Sequence, residues 1–112
     1  MNTFWRLGWV GVLPAIALIG CTSGLPHELV ERNDHAGLVQ WYQQEATVLR
    51  AKADQMHAMA EEYAKPAYQL SPKETRTELI NHCLRFFNYY TKAAEEAEAL
   101  AKMHRERSQA IP

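Results

Sequence analysis

His57 and His82 each stand beside sulfur and carboxylate side chains, the company that transition metals keep. Met56 and Met59 flank His57, Cys83 follows His82, and Met103 precedes His104. Imidazole with thioether or thiolate ligands suits copper, whereas imidazole with a carboxylate such as Glu61 or Glu78 suits zinc. Glu61 lies four residues after His57 and Glu78 four before His82, so on a helix each carboxylate shares its histidine's face. The candidate ligands for copper or zinc are His57, His82, Met59 and Glu61, with His35, His104 and Met103 as a second group. A structural reading competes with this one. Methionine at helical spacing commonly fills a core, and paired histidines can hydrogen-bond each other, Tyr42 or Tyr89. The chain has no glycine-rich phosphate loop, no G-x-S-x-G, no C-x-x-C-H and no H-E-x-x-H. Glu95, Glu96 and Glu98 read as a solvated face. The expectation is that the protein is not an enzyme.

The elements that position these groups read as helices. Leu38, Tyr42, Ala46, Leu49, Ala53, Met56, Ala60 and Tyr63 recur in steps of three and four, which draws one stripe along a helix. Asn33 or Asp34 can cap its start, and Pro66 stops it. A second stripe runs through Leu79, Cys83, Phe86/Phe87, Tyr90, Ala93/Ala94, Ala97 and Leu100/Ala101. Ser71, Pro72 and Glu74 read as its capping box. The spacing predicts helices over about 34–65 and 72–109, joined by so short a link that they fold back as an antiparallel hairpin. Residues whose numbers sum to about 139 then lie at equal height. His57 faces His82, and His35 faces His104 some 33 Å away along the axis. His35 and His104 fall near the stripe centres and His57 and His82 on the flanks. A weak repeat, H-x6-Y-x3-A-x9-M-H, starts at His35 and again at His82.

Residues 1–21 read MNTFWRLGWVGVLPAIALIGC: one basic residue, then an apolar run of about 13 residues, too short to span a bilayer at about 20. Its end, Leu18-Ile19-Gly20-Cys21, resembles the lipobox of bacterial lipoproteins. That resemblance implies removal of residues 1–20 as a signal peptide and acylation of Cys21, with residues 21–33 as a tether to the hairpin at 34–109. Two or three acyl chains anchor stably where one does not. Thr22 stands where an aspartate would favour retention in the inner membrane. The expected location is therefore the periplasm-facing envelope, on the outer rather than the inner membrane. With Cys21 lipidated, a disulfide of Cys83 would have to be intermolecular.

Without residues 1–20, which include Arg6, 11 basic and 13 acidic side chains leave a net charge of −2, and no basic patch points to nucleic acid. A lone hairpin of about 75 residues buries little apolar area. Trp41, Tyr42, Phe86, Phe87, Tyr89 and Tyr90 are also too many for one two-helix seam. The expected fold is all-α, a two-helix antiparallel hairpin completing a four-helix bundle by homodimerisation or by docking on an envelope protein. The leading functional expectation is a non-enzymatic structural or interaction lipoprotein. The alternative is a periplasmic lipoprotein that binds copper or zinc through interhelical histidines.

Overall fold

The computed structural model describes residues 25–110, all-α with no strand among them. Helix α1 is Pro26–Glu31, α2 is His35–Ala64 and α3 is Arg76–Gln109. Helices α2 and α3 form the expected antiparallel hairpin, and α1 packs on the start of α2. Among the described residues no helix is long and apolar enough to cross a membrane. The signal-peptide and lipidation reading, Cys21 included, lies outside the described residues.

The stripes become the seam. Leu38, Ala46, Ala53 and Ala60 of α2 and Cys83, Ala94, Ala97 and Ala101 of α3 are buried. Six of these eight are alanines, so the backbones approach closely but each contact hides little more than a methyl, about 0.8 kcal/mol of transfer energy. Tyr42, Leu49, Met56 and Tyr63 fill the remaining α2 stripe positions, half-buried.

Two details depart from the sequence reading. The stretch expected to be bare tether carries α1, with Pro26 at its first turn and Leu29 1% exposed. Asn33 ends α1 in the left-handed region at φ 51°, a conformation asparagine tolerates. Its amide donates to the Val30 carbonyl at 3.1 Å and the Asp34 amide to the Leu29 carbonyl at 2.9 Å. Asp34 at once caps α2, accepting from the Gly37 amide at 2.9 Å. Gly37 leaves room for this approach: a Cβ would come within 2.9 Å of the Leu29 side chain and 2.8 Å of the Asp34 carboxylate, and those side-chain ends would have to shift.

The second departure is the start of α3. Ser71 and Glu74 do bond each other, Ser71 amide to Glu74 carboxylate and Glu74 amide to Ser71 carbonyl, but as an isolated turn. The helix begins one motif later, where Thr75 caps by accepting from the Glu78 amide at 3.2 Å. Thr75-x-x-Glu78 repeats the pattern of Ser71-x-x-Glu74, and only the later start puts Arg76 in the first turn. Its guanidinium donates to the carbonyls of Tyr63, Lys65 (2.6 Å) and Tyr68 (3.2 Å), tying the last turn of α2 and the link that follows it to the start of α3.

Candidate functional site: the histidine levels of the hairpin

At the open end of the hairpin, His35 and His104 meet across the seam. Their Nδ1 atoms lie 3.0 Å apart, and the rings stack with centroids 5.3 Å apart at 26°. Tyr42 stacks on His104 at 5.7 Å, nearly parallel at 7°, and Trp41 meets Tyr42 edge-on at 5.0 Å. In the Nδ1–Nδ1 bond one ring must donate N–H and the other must present a lone pair. The pair can therefore be neutral or carry one charge, but two protonated rings would break the bond and repel. Burial holds His104 below the ordinary imidazole value, and the charges of His35 and Arg107 push the same way.

The level near the turn is built differently. His57 Nδ1 lies 3.4 Å from Glu61 Oε1, one turn on, and its half-exposed ring leans on Phe87 with centroids 5.5 Å apart. His82 is exposed and has neither a hydrogen bond nor an ion pair among the described residues. Phe87 and His82 are five residues apart on α3, which is about 140° of rotation. The contact with Phe87 thus sets His57 on one flank of the seam and leaves His82 on the other. Met59, 40% exposed, is two residues from His57 and about 160° around α2 from it. Of the candidate set His57, His82, Met59 and Glu61, the fold joins His57 with Glu61 alone. Met103, 54% exposed, stands one residue round from His104. Cys83 is a buried free thiol in the seam. Among the described residues no three histidine, cysteine, aspartate or glutamate side chains assemble as a ligand set.

Two polar devices escaped the sequence reading. One is the Arg76 clamp, whose signal was an arginine directly after the capping threonine of a second motif. The other is a two-pronged ion pair between helices, Arg50 Nε and Nη2 to the Glu98 carboxylate at 2.7 and 2.9 Å. Their numbers overshoot the equal-height rule because long side chains lean toward the start of their own helix. In an antiparallel pair both then reach back past their own level. The hydrogen bond to Glu98 raises Arg50 above the ordinary guanidinium value, and the same bond holds Glu98 below the usual carboxylate range. Both groups are exposed, so water screens the pair. No known family model, curated protein or solved structure matches the chain, so any role for the hairpin rests on its own residues.

Proposed function

We propose that the protein is a non-enzymatic lipoprotein of the bacterial cell envelope, tethered through Cys21 and facing the periplasm, on the outer rather than the inner membrane. Its hairpin is an interaction module that completes a four-helix bundle, with a second copy or with a larger envelope protein. The observation that carries this reading is the mismatch between seam and side chains. An alanine seam has no room for the large apolar groups beside it, and Phe86 and Tyr89 remain 51% and 65% exposed. Nothing in the charge balance favours nucleic acid as a partner. The test is metabolic labelling of cells with an alkyne fatty acid, followed by membrane extraction. The wild-type chain should take up label and stay with the membrane, and Cys21→Ser should lose both. Label retained by Cys21→Ser, or unchanged extraction, overturns the anchor.

One observation favours a second reading, copper or zinc binding. The Nδ1 atoms of His35 and His104 converge at 3.0 Å, close to the spacing of two cis nitrogen ligands on one ion. Two nitrogens leave the remaining ligands to water, to Met103 or to a partner. Isothermal titration with copper(I), copper(II) and zinc(II) decides it, and no saturable binding tighter than tens of micromolar removes the reading.

A further inference from the structure

The hairpin has two unlike flanks, and side-chain contacts across the seam fix which residues share each. Arg50 and Lys52 are two residues apart on α2, about 160° of rotation, so they leave the seam on opposite sides. Arg50 pairs with Glu98, and Asp54 and Glu95 add to the negative field around it. His57 and Phe87 lie on that same flank. This side is charged.

Lys52 marks the other side. Its Nζ sits 5.8 Å over the Tyr90 ring, and Phe86 stacks on Tyr90 at 5.9 Å and 20°. Val48 and Met59, 48% and 40% exposed, fall within about 40° of Lys52 around α2. On α3, Phe86, Tyr89, Ala93 and Leu100 follow one another by three, four and seven residues, with His82 and Glu96 as the polar members of the same stripe. That spacing makes a second seam, set beside the one the hairpin already uses. A helix with two adjacent apolar stripes is what a four-helix bundle requires and a two-helix hairpin does not.

We propose that this flank is the interface with a second copy of the same chain, the two hairpins lying side by side about a two-fold axis parallel to their length. The inference rests on the interaction-module reading above and names its partner. Three points favour a second copy. An α3 of 34 residues runs about 51 Å, and two helices each about 10 Å wide offer roughly 1,000 Å² of face. Stable interfaces bury about 800 Å² per partner, so the flank is large enough. The arrangement keeps both chains' N-termini at one end, as two anchors in one membrane require. It is also self-complementary. By the equal-height rule, Phe86 and Tyr89 of one chain stand between the levels of Val48 and Met59 on α2 of the other, against the stems of Lys52 and Gln55 and the half-buried Met56. Aromatic side chains on α3 fall between two exposed apolar side chains on α2, and the axis makes the match twice.

The full-length chain, in its native membrane, tests this with p-benzoylphenylalanine at position 89 or at position 54 on the charged flank. Illumination should give an adduct of twice the chain's mass from position 89 and none from position 54. In detergent micelles, sedimentation equilibrium should give a dimer that Phe86→Glu or Tyr89→Glu weakens about thirtyfold, with helical circular dichroism retained. An adduct from position 89 with a different envelope protein overturns the second copy while leaving the interaction module standing. Adducts with lipid alone, or a helical monomer at micromolar concentration for the wild type, overturn both.

Discussion

The two histidine levels are each a pair at equal height in the sequence and are unlike in the fold. His35 and His104 close the open end of the hairpin, ring on ring, with Tyr42 stacked alongside. His57 and His82 share a height but stand on opposite flanks, and His57 settles for Glu61 and Phe87. Height follows from where the chain turns. Meeting also needs the angle around each axis, and on either helix about 40° separates the seam histidine from the one on the flank, 22 residues away. The open end is therefore an organised layer, and the level near the turn is surface.

Four substitutions and a pH titration would break or sharpen that contrast. Leu38, 2% exposed, is the largest side chain α2 buries at the open end. Leu38→Ala should cost about 2–5 kcal/mol in urea unfolding, since a cavity adds to the lost transfer energy. A cost below about 1 kcal/mol would mean that the open end is frayed. His104→Ala should cost about 1–3 kcal/mol by stranding the His35 nitrogen and removing two ring stacks. His57→Ala on the exposed flank should stay within about 0.5 kcal/mol, and equal costs would erase the distinction.

Acid should find the open end first. The fold holds the His104 value below that of a free imidazole, so the unfolded chain takes up the proton more readily. The stability this neutral ring contributes is complete above about pH 6.5 and is lost as pH falls below it toward the lowered folded value. Urea midpoints should fall over that window in the wild type and fall less in His104→Ala. An NMR titration placing the His104 midpoint at or above that of free imidazole would contradict the burial. The smallest effect is at Gly37. Alanine there gains about 1 kcal/mol of helix propensity but drives a methyl into Leu29 and the Asp34 cap. Net stability should change little, while hydrogen exchange over residues 26–33 should speed up. Unchanged protection would show that α1 yields without undocking.

Much of the fold was legible because a 3.6-residue period survives in single residues. The eight stripe positions of α2 all turned inward, and Pro66 stopped the helix where its ring demands. The start of α3 was not legible, because Ser71 and Thr75 head equivalent motifs and only the three carbonyls waiting for Arg76 separate them. Helix α1 was missed because six residues are too few for periodicity. Its signals were Pro26 at the start and Asn33 just past the end. For the site, the seam histidines were readable from height and angle together. Opposite flanks for His57 and His82 were not, because an unsigned angle from the stripe centre does not say left or right.

The Arg76 clamp also bears on the order in which the hairpin forms. Its link to Lys65 spans 11 residues, whereas the His35–His104 bond spans 69. Loop-closure entropy grows with the logarithm of span, so forming the histidine bond from an open chain costs about 1.6 kcal/mol more than forming the clamp. Folding should start at the turn and zip outward, with the histidine end last to close and first to open. The distribution of bulk follows that gradient. Ala60 and Cys83 suffice near the turn, where closure is nearly free, while Leu29, Leu38 and the stacked rings gather at the end with most chain entropy to offset. Mutational folding kinetics would show it, with Arg76→Ala slowing folding and Leu38→Ala mainly speeding unfolding.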